Sequence, residues 1–313
     1  MRNRARLTLV AATSVLALWL ACGGQGAPSN PAGPSSSGAS LTPAPAATPP
    51  TVVFSGTGDI ASCSPKAMSQ NERVSKVLDG LEGLVFTTGD NAYEKGTPEE
   101  FQKCYDPTWG RHRARTRPSP GNHDYYTPGA AGYFAYFGEN AGPPGQGYYS
   151  FDYGAWKILS LNSNVPAGPG SAQYNWTAEE LRNTTAKCTL AYWHHPVFSS
   201  GYEGNMKNMR PIWELLYEHK AEIVLVGHSH NYERFGPQDI NGQPQPGRGI
   251  REFVLGTGGN EFTGLESMKA NSEVFNNSSA GVMRLSLAAA DYSWEFIPAA
   301  GFTFRDSGSD VCF

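Results

Sequence analysis

The chain has 313 residues, of which 39% are hydrophobic and 17% are charged, and its formal net charge at pH 7 is −4. This length allows an α/β domain with a full hydrophobic core. The acidic balance argues against a broad nucleic-acid-binding surface, which depends on basic patches, so no nucleic-acid partner is expected.

Residues 1–22 have the organisation of an export signal. Arginines precede an apolar stretch from Leu7 to Leu20, which is too short to span a bilayer comfortably. The following Ala21-Cys22 resembles a bacterial lipoprotein box, although Trp19 stands where that pattern prefers Leu. The resemblance implies a signal peptide cleaved before Cys22 and a lipid on its thiol, which would anchor the protein to a membrane outside the cytoplasm, in the periplasm or at the cell surface. The alternative is ordinary cleavage near Ala21, which would give a secreted protein.

Residues 23–50 are almost entirely Gly, Pro, Ser, Ala and Thr, with no charged residue. Such a segment buries too little apolar surface to offset its ordering entropy, so it is predicted to be a disordered linker. A folded domain is predicted for residues 51–313, where secondary-structure patterns begin.

Four cysteines remain beyond Cys22, and an even number in an exported domain indicates two disulfides. Four cysteines allow three pairings, and the sequence alone does not choose among them. We adopt the hypothesis that Cys63 pairs with Cys104 and Cys188 with Cys312. A zinc cluster is the alternative, but the chain contains no CxxC spacing.

Hydrophobic periodicity and turn residues predict an alternation of strands and helices. The predicted strands are at 51–57, 84–88, 189–193, 223–226, 251–255, 282–286 and 292–296, with a hairpin of 147–152 and 155–161. The predicted helices are at 66–78, 98–105, 177–186 and 211–219. The helix at 177–186 is predicted to start with a capping box of Thr177 and Glu180. This alternation predicts stacked sheets with helices outside.

Several short apolar strands end in loops with metal-capable side chains, and most of these loops begin with glycine. The loops are Gly58-Asp59, Gly89-Asp90, Gly121-Asn122-His123-Asp124, His194-His195 and Gly227-His228-Ser229-His230. A single Gly-Asp pair is typical of an ordinary turn, and a single His pair is typical of a core. Because ligands gather at the carboxyl ends of strands in α/β sheets, the whole set predicts one site.

This ordered set resembles the calcineurin-like metallophosphoesterases. Tyr93, three residues after Asp90, is similar to the tyrosine that binds the ferric ion in the purple acid phosphatase branch, and the segments 231–234 and 256–259 are similar to that branch as well. The resemblance implies the metallophosphoesterase fold, a four-layer α/β/β/α sandwich of two mixed β-sheets flanked by helices.

The resemblance also implies two metal ions, which would clamp the oxygens of a phosphate ester. The first ion is implied at Asp59, Asp90, Tyr93 and His230, and the second at Asp90, Asn122, His194 and His228. Asp90 would bridge the two ions. A phenolate is a hard donor that favours Fe(III) at the Tyr93 site, whereas Fe(II), Zn or Mn fits the other.

The activity implied by the resemblance is hydrolysis of phosphomonoesters by metal-bound hydroxide attacking phosphorus. His123 is implied to protonate the leaving alkoxide or to stabilise the phosphoryl oxygens, with Asp124 orienting it by a hydrogen bond and raising its pKa. His195 is interpreted as either supporting the ligands or facing the substrate.

Two further enzyme or binding functions remain open. The same metal site would serve a phosphodiesterase, or the chain would be a ligand- or partner-binding lipoprotein on a retired phosphoesterase fold. All implied ligand positions are filled, which favours an enzyme. The loop 199–208 contains no second active-site His, and the arginines at 111, 113, 115 and 117 would form either a phosphate-binding patch or a solvated face.

Overall fold

The computed structural model describes residues 48–313. The predicted signal peptide, the lipid on Cys22 and most of the predicted 23–50 linker lie outside the described residues. In the part of the chain that is described, no helix combines the length and the apolar character needed to cross a membrane.

Strands and helices alternate along the described residues. The strands are β1 (Val52–Thr57), β2 (Leu84–Thr88), β3 (Thr116–Ser119), β4 (Tyr149–Tyr153), β5 (Trp156–Ser160), β6 (Cys188–Tyr192), β7 (Ile223–Val226), β8 (Tyr232–Phe235), β9 (Arg251–Leu255), β10 (Ser272–Asn276), β11 (Gly281–Leu287), β12 (Asp291–Pro298) and β13 (Asp306–Val311). The α-helices are α1 (Pro65–Asp79), α2 (Pro98–Glu100), α3 (Asp106–Trp109), α4 (Asn122–Tyr125), α5 (Ala131–Phe137), α6 (Ala172–Asn183) and α7 (Arg210–Glu218). A π-helical turn, Phe101–Tyr105, joins α2 to α3.

The strands form two mixed sheets. The first has the order β13-β12-β11-β1-β2-β3, with β1, β2 and β3 parallel and β11 to β13 antiparallel. The second has the order β10-β8-β9-β7-β6-β5-β4, with β5, β6, β7 and β9 parallel. Both sheets therefore place several parallel strands side by side, as a site at the strand ends requires.

A shared apolar core joins the two sheets face to face. Phe54 and Phe86 of the first sheet pack against Tyr192 of the second, with ring centroids 5.8 Å apart for Phe54 and Tyr192. Helices cover the outer faces, because α1 buries Val74 and Leu78 on the first sheet and α6 and α7 pack on the second. The four-layer sandwich predicted for this chain is confirmed.

Both predicted disulfides are present. Cys63, just beyond β1, pairs with Cys104 in the π-helical turn, and their Cα atoms are 5.1 Å apart. Cys188 in β6 pairs with Cys312 beyond β13, with the Cα atoms 5.6 Å apart. The second bond ties the last strand of one sheet to a central strand of the other.

One predicted helix start is wrong. The capping box at Thr177 does not form, because α6 begins at Ala172 and its N-cap is Ser171, which accepts from the Tyr174 backbone N–H. Thr177 lies inside the helix and donates to the Gln173 carbonyl four residues earlier. Strands β3, β8, β10 and β13 were not predicted.

Two arginines of the basic run at 111–117 contact the C-terminal end of α1. Arg111 Nε donates to Asp79 Oδ1 at 2.7 Å. Arg115 Nη2 donates to the Leu78 carbonyl at 2.7 Å. Both guanidinium groups therefore lie at the C-terminal end of α1, where a cation stabilises a helix, and Arg115 also satisfies one of its last carbonyls.

A partly buried carboxylate connects the two sheets at one edge. Asp306 Oδ2 accepts hydrogen bonds from Tyr232 Oη at 2.6 Å, Arg234 Nε at 2.7 Å and Trp294 Nε1 at 3.1 Å. The side chain of Asp306 is 10% exposed and that of Arg234 is 13% exposed. Burial acts to raise the pKa of Asp306, but the hydrogen bonds from Arg234 and Tyr232 outweigh it, and the pKa is lowered.

We expect Asp306→Asn to lower the free energy of unfolding at pH 7 by about 1–2 kcal/mol, because Arg234 loses one of its two carboxylate partners and keeps Glu273. A carboxyl whose pKa is lowered on folding stabilises the fold above its ordinary value of 3.8 and loses this contribution as pH falls through the folded pKa. The difference between the two proteins in urea unfolding should thus shrink below pH 4. Asp291→Asn, at an exposed position of β12, is the control, and a difference that does not depend on pH would contradict the assignment.

Candidate metal centre

The predicted site residues lie at the carboxyl ends of five strands. Asp59 and Asp90 come two residues after β1 and β2, His194 and His228 two residues after β6 and β7, and Asn122 three residues after β3. Because β1, β2 and β3 are parallel, as are β6 and β7, these ends meet at one edge of the sandwich.

One group of donor atoms surrounds the Tyr93 hydroxyl. Tyr93 Oη lies 3.0 Å from Asp59 Oδ1, 3.1 Å from Asp90 Oδ2 and 3.3 Å from His230 Nε2. These are the four side chains implied for the first metal ion. Asp59 and Asp90 are fully buried, so their charges have little access to water.

A second group surrounds the His194 imidazole. His194 Nε2 lies 3.0 Å from Asn122 Oδ1, 3.2 Å from His228 Nδ1 and 3.3 Å from Asp90 Oδ2. These are the side chains implied for the second ion. The same oxygen of Asp90 borders both groups, so Asp90 occupies the bridging position.

The hydrogen-bond pattern of the imidazoles suits a cation. His194 Nδ1 donates to the Thr88 carbonyl at 2.8 Å and His230 Nδ1 donates to the Glu261 carbonyl at 2.7 Å, which leaves each Nε2 with a lone pair in the neutral ring. These lone pairs point at carboxylate oxygens. Bonds of about 2.0–2.1 Å to a common ion would place ligand atoms about 3.0–3.4 Å apart, as found here. The residues therefore fit metal ions.

The protonation states of Tyr93 and His194 depend on whether a cation is bound beside them. Burial, together with the carboxylates of Asp59 and Asp90, raises the pKa of Tyr93 well above 10, so a phenolate there requires a cation. Burial alone would lower the pKa of His194, but the charge of Asp90 outweighs it and raises the pKa to about 9.

Backbone strain is concentrated at the same positions. Asp59, Asp90 and His228 have φ values of 59°, 49° and 68°, in the left-handed region that non-glycine residues rarely adopt. Gly121 is packed so closely that a Cβ would overlap Asp90 Oδ1. Such strain is typical of functional sites. The close packing at the glycine positions explains why most of these loops begin with glycine.

His123 lies beside the donor groups and faces the cleft above them. Its Nδ1 donates to the Glu94 carbonyl at 2.7 Å, and its Nε2 lies 3.9 Å from Asp90 Oδ2. Its backbone N–H donates to Asp90 Oδ1 at 2.8 Å. The Nε2 atom is thereby held toward the space where a substrate would meet the donors.

The predicted orienting role of Asp124 is wrong. Its carboxylate accepts from the Gly121 backbone N–H at 2.8 Å and from Asn91 Nδ2 at 3.0 Å, and His123 is oriented by the Glu94 carbonyl instead. Successive side chains in a helical turn point about 100° apart, so neighbours in α4 do not face each other. Asp124 holds the two metal-site loops together.

His195 lies behind the cleft. It is 7% exposed, and its Nδ1 is 2.7 Å from Ser163 Oγ. Its ring is 4.5 Å from that of His228, and a ring nitrogen lies within 4.8 Å of those of His194 and His228. Burial and the charge of His194 lower the pKa of His195 to about 3. Of the two interpretations of His195, this position favours a supporting one.

Five of the seven donors, Asp90, Tyr93, Asn122, His228 and His230, line the floor of a cleft of about 1000 Å³. Its walls include residues that the sequence patterns did not identify: Ser62, Ser64, Lys66, Gln70, Glu94, Tyr126, Glu203, Asn260, Glu261, Phe262, Thr263 and Phe302. Glu203 reaches the cleft because its loop pairs with a distant one, through a bridge between Gly201 and Leu265. No short-range spacing indicates such a contact.

Residues 56–232 match the family described as calcineurin-like phosphoesterase, over more than half of the chain. The chain belongs to this family. Membership of this family implies metal ions and a phosphate-ester substrate. The donor side chains at the strand ends agree with this.

Plant purple acid phosphatases are among the proteins similar to this chain. Purple acid phosphatase 21 of Arabidopsis thaliana is 34% identical over 159 residues, which cover 47% of this chain and 36% of that protein. A nucleotide pyrophosphatase/phosphodiesterase of Hordeum vulgare is 22% identical over 275 residues, covering 74% of this chain and 72% of that protein. The chain spans less than half the length of these purple acid phosphatases, between 25% and 43%.

A solved structure shares the fold. Purple acid phosphatase PPD1 from yellow lupin (Lupinus luteus) seeds superimposes with a TM-score of 0.66 at 17% identity, covering 83% of this chain and 54% of that chain. At this identity the similarity bears on the fold alone. It agrees with the two mixed sheets flanked by helices described above.

Proposed function

We propose that the protein is a dinuclear metal-dependent phosphomonoesterase of the purple acid phosphatase type. The observation that carries this proposal is the division of seven side chains into two donor groups that share Asp90. Tyr93 and His230 belong to one group, and His194 and His228 to the other. The proposal assigns Fe(III) to the Tyr93 group and Fe(II), Zn or Mn to the His194 group.

Bound metal ions would supply positive charge for the phosphate oxygens and a water of lowered pKa at neutral or acidic pH. The protein residues have separate tasks. Asp59 accepts the His228 backbone N–H at 3.0 Å, and Asp90 accepts that of His123 at 2.8 Å, so the carboxylates also fix the loops that carry the imidazoles. The site is therefore organised before a substrate arrives.

His123 is proposed to provide the proton that the alcohol needs. Hydrolysis forms a bond between phosphorus and a water oxygen and breaks the ester P–O bond, and the departing alkoxide must gain a proton. His123 Nδ1 is fixed on the Glu94 carbonyl, so Nε2 is the atom that faces the cleft. A proton donor held in this way is typical of a general acid.

We expect His123→Gln to lower kcat/KM about 10²-fold or more for alkyl phosphates and much less for 4-nitrophenyl phosphate, whose leaving group needs no proton. The measurement is steady-state hydrolysis of both esters. His219→Gln, at an exposed position after α7, is the control and should change neither value. An equal loss for both esters would contradict the role of His123 as an acid.

Hydrolysis of a chromogenic monoester and of a chromogenic diester tests the activity itself. We expect the monoester to be the better substrate. Faster diester hydrolysis would favour a phosphodiesterase on the same metal site, the activity for which the Hordeum vulgare relative is named. If metal-loaded protein hydrolysed neither ester, the chain would be a binding protein on a retired fold.

The proposed location is outside the cytoplasm, with a lipid on Cys22 as the membrane anchor. Two disulfides in the described domain support an exported protein, because such bonds persist in oxidising compartments. Intact-mass analysis of the mature protein tests the anchor, and a mass without lipid would contradict it.

A further inference from the structure

The cleft above the donor groups has a negatively charged outer wall. Three glutamates are among the residues that line it, Glu94, Glu203 and Glu261. In the described part of the chain, Lys66 is the only lysine or arginine on this wall, and its Nζ lies 3.8 Å from Glu261 Oε1 with both side chains more than 80% exposed. An exposed ion pair at this distance is weak. One lysine does not balance three glutamates, so the outer wall has a net negative charge.

The arginines of the basic run at 111–117 do not neutralise the negative charge of this wall. Arg111 is bound to Asp79, and Arg113 lies over the Tyr136 ring, 4.7 Å from its centroid. Arg115 is bound to carbonyl groups at the end of α1. A substrate with several phosphates or carboxylates would therefore meet no guanidinium in the cleft, although that group is the usual partner of such anions.

An exposed aromatic ring lines the same cleft as these glutamates. Tyr126 is 58% exposed, and its ring centroid is 4.7 Å from that of His123 on the wall of the cleft. The backbone carbonyl of Glu94 accepts from the same His123, so Glu94 and Tyr126 both adjoin His123 on the lining of the cleft. An aromatic face next to carboxylates is a favourable environment for an organic ammonium group.

We propose that the preferred substrates are phosphomonoesters of small cationic alcohols, and this inference rests on the phosphomonoesterase function proposed above. The phosphate lies on the metal-site floor at Asp90, and the ammonium group lies in the outer cleft among Glu94, Glu203 and Tyr126. Water adds to phosphorus, the ester P–O bond breaks, and the cationic alcohol leaves with a proton. The products are inorganic phosphate and the free alcohol.

Two esters of equal shape test this charge preference. Choline phosphate carries a trimethylammonium group, and 3,3-dimethylbutyl phosphate is its neutral isostere. We expect kcat/KM for choline phosphate to exceed that for the isostere about tenfold at low ionic strength, and the ratio to fall as salt is added. Adenosine triphosphate, a polyanion, should be a poorer substrate than the neutral isostere.

Variants that neutralise the glutamates test whether the outer wall of the cleft causes the preference for a cationic substrate. We expect the double variant Glu94→Gln/Glu203→Gln to reduce the ratio of the two kcat/KM values toward one. Glu139→Gln, at an exposed position outside the cleft, is the matched control and should leave the ratio unchanged.

The outcomes separate this inference from the proposed function. Hydrolysis of both esters with a ratio of one or less, or a ratio that the double variant does not change, would overturn the inference and leave the phosphomonoesterase in place. If neither these esters nor 4-nitrophenyl phosphate were hydrolysed by metal-loaded protein, the proposed function would be wrong and this inference with it.

Discussion

Asp90→Asn is expected to lower kcat/KM for phosphomonoesters about 10³-fold or more and to release metal. Asp90 Oδ2 borders both donor groups, at 3.1 Å from Tyr93 Oη and 3.3 Å from His194 Nε2. An amide keeps the volume but removes the negative charge and one acceptor. Changes to partners outside the ligand shell already cost about 10–100-fold, so the shared ligand should cost more.

The measurement combines steady-state hydrolysis with metal analysis of the purified variant. Asp152→Asn on the β4–β5 hairpin is the matched control, since its side chain is 78% exposed and far along the chain from the site loops. It should retain both activity and metal. An Asp90→Asn protein that kept its metal and lost less than about tenfold in kcat/KM would contradict the bridging role.

Replacing Cys188 and Cys312 by serine is expected to have the largest effect on stability. The bond closes a separation of 124 residues, and the chain-entropy model gives about 5 kcal/mol for a loop of this length. For Cys63 and Cys104, separated by 41 residues, the same model gives about 4 kcal/mol. At about 2–4 °C per kcal/mol, the Cys188/Cys312 variant should lose about 10 °C or more in Tm.

Thermal and urea unfolding of both double-serine variants provide the comparison. The folded Cys188/Cys312 variant should keep its monoester hydrolysis at low temperature, because that bond joins β6 to the end of β13 and not to a site loop. The Cys63/Cys104 variant is the internal reference. Equal Tm values for wild type and the Cys188/Cys312 variant would contradict a stabilising role for this bond.

The convergence of the donor side chains was predictable because it follows from local pattern and sheet geometry. Asp59, Asp90 and His228 each follow a short apolar strand and a glycine, and parallel strands bring such ends to one edge. The crowding at these glycine positions, where a Cβ would overlap neighbouring atoms, explains why the glycines are present. The same short turns that follow the strands therefore also carry the metal-binding side chains.

Features set by distant contacts were not predictable. Strand β13 reads Asp-Ser-Gly-Ser-Asp-Val, which has neither β-branched residues in series nor apolar alternation. It forms because it pairs with β12 and because Arg234 binds Asp306. Glu203 reaches the cleft through a loop pairing in which the Tyr202 N–H donates to the Gly264 carbonyl, a contact that sequence spacing does not indicate.

The roles of neighbouring residues were predicted less well than their positions. Asp124 stands next to His123 in the sequence, but the helical turn α4 directs it toward Asn91. Thr177 and Glu180 have capping-box spacing, but Ser171 offers an earlier N-cap with a hydroxyl acceptor. In both cases the local pattern was present and a competing backbone geometry determined the outcome.

Metal analysis with a visible absorption spectrum of the purified protein tests the dinuclear centre most directly. We predict two metal ions per chain, including iron, and a broad visible band that disappears in Tyr93→Phe while monoester hydrolysis depends on the bound metal. Two ions without the band would contradict Fe(III) at Tyr93. One ion or none after reconstitution would contradict the shared site at Asp90, and with it the proposed function.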